Sequence, residues 1–167
     1  METRELVTDA ALVGVAGYGA AKVMGKATTF MYEQQTDEAK QQEKDESYGV
    51  AYDVAAKKTA ALAGKKLSED QASTAGMAIH YALAFGWVPV YMVARRRFGM
   101  TPFGAGTATG LSMAVLVDEI GNPLFGFTPP PQKYPLVSHL RGLAGHLVYG
   151  LAVAAIVEAG WKLTGRR

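Results

Sequence analysis

The chain has 167 residues, enough for one domain with a buried interior and too few to expect two. A formal net charge of +2 is too small and too scattered for nucleic-acid binding, and the absence of cysteine excludes disulfides, thiolate metal sites and cysteine nucleophiles. The mean hydropathy of +0.05 hides a partition. Residues 34–70 carry six lysines and eight acids, whereas long stretches elsewhere are nearly free of charge.

In chain order, the first element is an apolar run over 10–32. It follows the acidic start METRELVTD, where a cleavable signal would be basic, so it is expected to be retained. The polar stretch 34–70 comes next. Its DEAKQQEKDE run suits either a helix or a disordered segment. From Tyr48 onward, Ala51, Tyr52, Ala55, Thr59 and Leu62 recur at helical spacing with Asp53, Lys57 and Lys58 opposite. Residues 48–66 are therefore expected to form an amphipathic helix on a membrane surface or against the bundle; a solvated helical hairpin is the alternative.

Three more apolar runs follow, over 72–93, 103–127 and 136–161, and each exceeds the roughly 20 residues that a helix needs to cross a bilayer. Pro89 should kink the second and leave a backbone carbonyl for a neighbour to satisfy. Thr101 and Pro102 make a start for the third, and the TPPP of 128–131 forces an extended turn before the fourth. Small residues at four-residue spacing (Gly17/Ala21/Gly25, Gly106/Gly110, Gly150/Ala154) are suited to close helix packing in lipid. Trp87, Tyr91 and Trp161 gather toward one end, as interface anchors do. The expected fold is all-α and polytopic, with four transmembrane helices and an extramembrane amphipathic insert between the first and second. Its partners are the lipid bilayer and a second copy or another membrane protein, with no nucleic acid.

Lysine and arginine number seven on each side of such a membrane, so the charge rule ties. The Arg95/Arg96/Arg97 cluster sits tightly against a helix end, which favours cytoplasmic termini.

Inside the apolar runs, Asp118, Glu119, His139, Arg141, His146, His80, Lys22 and Lys26 fall in the same upper half of the bundle when counted at about 1.5 Å per residue from the arginine side. Charges in hydrocarbon cost at least a few kcal/mol, which favours a shared polar centre over eight separate exposures. Asp118 with Arg141 is the expected primary pair, and His139 and His146 share a helix face at seven-residue spacing. The lysines have the alternative of snorkelling upward. Glu158 is expected to pair with Lys162 at the lower surface. The cluster fits a structural ion-pair core or a path for protons or small ions. Two histidines seven apart match no compact metal motif, and no metal or cofactor is expected. Elbow, phosphate-loop, zinc-protease and dinucleotide signatures are missing, so no enzyme is expected.

The stretch DEIGNPLFGFTPPPQKYPLVSHLRGLAGHLVYGLAVAAIVEA, with Asp118, Glu119, residues 126–130 and residues 145–148, resembles the C-terminal half of the YagU-like family of small bacterial inner-membrane proteins. The glycine-rich VAGYGAAKVMGK is similar to that family's first helix in a weaker way. The resemblance implies a multi-pass inner-membrane protein and points to Asp118, Glu119, His139, Arg141 and His146. It transfers no catalytic residue.

Overall fold

The computed structural model describes residues 3–165, which are helices and short connections without a strand. The first helix, α1, spans Thr3–Glu33. The polar insert forms two helices, α2 (Asp37–Glu46) and α3 (Ala51–Leu62). Thr36 caps α2 by accepting from the Ala39 amide, so the DEAKQQEKDE run is helical. Helix α4 runs over Glu69–Arg97 and opens with a capping box of Ser68 and Gln71. Helix α5 covers Pro102–Met113, and Thr101 accepts from the Gly104 amide at its start. The last long helix, α7, spans Leu136–Leu163 and follows a short α6 (Asn122–Leu124) and the proline turn.

Three of these helices, over Glu5–Glu33, Glu69–Arg97 and Leu136–Leu163, are long and apolar enough to cross a membrane. Only 28%, 28% and 39% of their most apolar stretches are buried inside the bundle, so most of the apolar surface faces outward. The expected third span is not one regular helix. Between α5 and α6 the chain takes eight residues of π-helix, Ala114–Gly121.

Four rods pack side by side, with α7 between α1 and the α5–α6 rod, and α4 against α1. Neighbours run antiparallel. Leu12 meets Gly160 at the end we call lower, where the Arg95–Arg97 cluster lies, and Met24 and Thr28 meet Gly145 at the upper end. Small residues set the closest approaches. A Cβ on Gly150 would lie 2.1 Å from the Gly106 carbonyl, and one on Gly110 would lie 2.3 Å from the carbonyl of His146, so α5 and α7 touch backbone to backbone. Gly17 lets α1 approach Ala84 and Phe85, whereas Gly25, expected in the same stripe, has nothing within 4 Å. Pro89 cannot donate to the Phe85 carbonyl, and next to it the Ala84 carbonyl accepts a hydrogen bond from the Tyr149 hydroxyl of α7.

At the lower end two acids hold three helices. Asp9 of α1 accepts from Arg96, and from the Trp161 indole at 3.1 Å. Glu158 of α7 accepts from Arg95 at 2.5 Å and from the Tyr91 hydroxyl at 2.9 Å. Two expectations change here. Glu158 pairs with Arg95 of α4 rather than Lys162, because it points toward the neighbouring helix. Tyr91 and Trp161 are buried members of this clamp rather than outward anchors.

Helix α3 lies along the upper part of α4. Its inward residues are Tyr52, Asp53, Ala55 and Ala56, and Gly76 leaves room for the Tyr52–Asp53 backbone. The expected apolar face through Thr59 and Leu62 is turned away: Leu62 is 90% exposed, and Asp53, expected outside, faces α4. Short Ala and Gly side chains permit a tighter approach than the Leu62 side does, which decides the rotation.

Candidate functional site

The π-helical turn is what aims the two adjacent acids. Pro123 has no amide to give the Glu119 carbonyl, and the Asn122 amide bonds instead to Val117, five residues back. Gly121 makes the wide turn possible, since a Cβ there would stand 2.8 Å from the Leu116 carbonyl. Asp118 then faces Gly142 and His146 of α7, and Glu119 reaches His139 one helical step higher.

Two bonded groups form the rim of the site. Glu119 Oε1 lies 2.7 Å from His139 Nδ1, and His139 Nε2 lies 2.9 Å from the Pro131 carbonyl, so the imidazole bridges the π turn and the proline turn. Arg141 Nη2 donates to Glu43 Oε1 at 2.7 Å, and the Ser138 hydroxyl donates to the other oxygen of the same carboxylate. The Arg141 guanidinium also lies over the Tyr32 ring, 5.0 Å from its centre. Beside this pair Lys133 binds Glu46 at 2.9 Å, giving α2 a second anchor. Burial pushes the Glu43 carboxyl up, but the bonds from Arg141 and Ser138 outweigh it and hold the group below its ordinary 4.5.

Beneath the rim is a cleft of about 270 Å³ lined by Glu43, Asp118, Glu119, Asn122, His139 and Arg141 among others. Asp118 forms part of its wall. Asn122 donates to Asp118 at 3.4 Å, and His146 Nε2 stands 3.1 Å from Asp118 Oδ2 but out of line for a hydrogen bond. His146 is the most enclosed ionisable side chain of the group, 2% exposed, and neither ring nitrogen makes a hydrogen bond among the described residues. Tyr52 of α3 borders the same region. Burial, and then the nearby Asp118 charge, push its phenol up to about 12.

The structure therefore brings together Asp118, Glu119, His139, Arg141 and His146 from the eight sequence candidates. It adds Glu43, Ser138, Asn122 and Tyr52. The expected Asp118–Arg141 pair is not formed, because Glu43 from the insert takes the guanidinium. His80 sits apart, edge-on to Tyr52 and Tyr81 at 4.9 and 5.2 Å between ring centres. Lys22 and Lys26 lie outside the cluster as well, exposed on α1. Glu43 had no signal of its own in the sequence, where it is one acid among many in a solvated run. Among the described residues no group of three or more His, Asp and Glu is gathered closely enough to hold a metal ion.

Comparison with family models, curated proteins and solved structures finds no match for this chain.

Proposed function

We propose that the chain is a four-span protein of the bacterial inner membrane, of structural or accessory type. Its polar centre fastens the extramembrane helices to the membrane helices, and the protein acts as a subunit of a larger membrane assembly or as a homo-oligomer. In this reading the α5–α6 rod is the fourth span, its π turn tolerated because it faces the polar centre. Location in the inner membrane is supported by the outward apolar surface of the long helices and by the resemblance of the C-terminal stretch through α6 and α7 to the YagU-like family. The arginine-rich end, and with it both termini, faces the cytoplasm.

The observation that carries the accessory reading is the closure of the rim. Glu43 is taken up by Arg141 and Ser138, and Glu119 by His139, whose other nitrogen is held by the Pro131 carbonyl. Charges bonded to one another across elements fix a geometry rather than await a substrate. Purification in mild detergent tests this. The expected result is a discrete complex larger than the monomer, together with proteoliposomes that hold an imposed pH gradient.

A second reading, a small proton or ion conductor, has its own supporting observation. Asp118 borders an open cleft, and the enclosed His146, 3.1 Å from it, makes no hydrogen bond through either ring nitrogen among the described residues. Collapse of the gradient by the wild-type protein, abolished in Asp118→Asn without unfolding, would select it over the accessory reading.

A further inference from the structure

Away from the polar centre, two cations stand without a counter-charge. Lys22 and Lys26 are four residues apart on one face of α1, both exposed, beside a groove of about 580 Å³ between α1 and α4. Among the described residues neither ammonium forms an ion pair with a carboxylate. Lys22 lies over the Tyr18 ring at 5.4 Å, and Tyr18 stacks on Tyr81 of the opposite wall. His80 lines the same wall, and Gly25 leaves the floor open, with nothing within 4 Å of where its Cβ would be. Among the described residues the one carboxylate lining the groove, Glu33, is at the rim, seven residues or about 10 Å above Lys26. Exposed apolar side chains flank these polar groups, Phe30 and Met77 in the lining and Val23 beside it on α1, with the exposed Thr29 hydroxyl among them.

Like charges at four-residue spacing repel, and ammonium groups facing hydrocarbon are costly. An anion seated between them removes both penalties. Lys26 lies about 10 Å below the helix end, so its arm extends toward the headgroup layer, and Lys22 lies one helical turn deeper along the same groove. We propose that this groove binds the phosphate-bearing headgroup of an anionic phospholipid, both lysines facing the phosphate and the acyl chains lying along Val23, Phe30 and Met77. The proposal rests on the membrane reading above. Two lysines, an imidazole and a phenol around a mixed polar and apolar groove match a phosphate joined to hydrocarbon better than they match either alone.

The test uses the delipidated full-length chain in detergent, titrated with phosphatidylglycerol or phosphatidylcholine and followed by native mass spectrometry. Wild type should prefer the anionic lipid. Lys22→Gln/Lys26→Gln should weaken that binding about thirtyfold. Lys22→Arg/Lys26→Arg should retain it, and Lys65→Gln/Lys66→Gln, outside the groove, should leave it unchanged. Equal binding of the two lipids, or no loss in the double glutamine variant, would overturn the site. Displacement of the lipid by inorganic phosphate alone would overturn the lipid assignment in favour of a free anion. A chain that stays in solution without detergent would instead remove the membrane reading itself, an outcome distinct from a detergent-requiring chain with no lipid preference.

Discussion

Arg141 Nη2 meets Glu43 Oε1 at 2.7 Å across 98 residues of sequence, joining the polar insert to the upper end of α7. Glu43 is 21% exposed and Arg141 17%, so the bond is largely shielded from water. Glu43→Gln should cost about 1.5–3 kcal/mol, the scale of a hydrogen bond to a charged partner, and should act locally on α2. Hydrogen exchange read on Asp37–Glu46 checks it. Protection there should fall while that of α7 stays.

The same contact sets a pH response. The Glu43 carboxyl is held below its ordinary 4.5, so its contribution is fully present above that value and is lost as pH falls through the lower, folded value. Exchange of the α2 amides, corrected for intrinsic rates, should be flat from neutral pH down to about 5 and should rise in stronger acid. Glu43→Gln should abolish the rise.

Gly150 and Gly110 form the α5–α7 contact, and an added methyl at either has nowhere to go. Gly150→Ala should destabilise the bundle by about 1–3 kcal/mol through overpacking. Gly25→Ala, with open space around its Cβ, should be neutral or stabilising by up to about 1 kcal/mol. Unfolding of both variants in detergent, followed by circular dichroism, separates the two positions.

At the lower end Glu158 is held by Arg95 and Tyr91, both from α4. Glu158→Gln should lower the melting temperature and Lys162→Gln should not. A double-mutant cycle between Arg95 and Glu158 should give a coupling of about 1–2 kcal/mol, between the exposed and the fully buried limits.

Much of this fold is legible in local chemistry. Thr101–Pro102 starts α5, the Gly106/Gly110 and Gly150/Ala154 stripes mark a helix contact, and the TPPP run separates the third apolar run from α7 as expected, whereas α4 continues without interruption through Pro89. What local pattern cannot supply is the partner at long range. Asp118–Arg141 is the natural pair when only the apolar runs are considered, yet a carboxylate from the solvated insert reaches Arg141 first. Depth counting places His80, Lys22 and Lys26 level with the acids but says nothing of azimuth around the bundle, and all three turn to the α1–α4 side. The π turn is written in Gly121 and Pro123, residues that read equally well as an ordinary helix end. The rotation of α3 is likewise decided by alanine and glycine clearance against α4, which an apolar-versus-polar pattern does not rank.

The central claim is that lipid surrounds the four rods, including the one interrupted by the π turn. Because the chain has no cysteine, single cysteines can be placed at the exposed apolar positions Val15, Val90, Leu111 and Leu151, one on each rod, and at Leu62 on α3 as a control. Each carries a spin label in reconstituted bilayers, and its collisions with oxygen and with a water-soluble nickel chelate are compared. The account predicts that all four positions favour oxygen and exclude the chelate, while Leu62 admits it. Chelate access at Val15, Val90, Leu111 and Leu151 equal to that at Leu62 would contradict it.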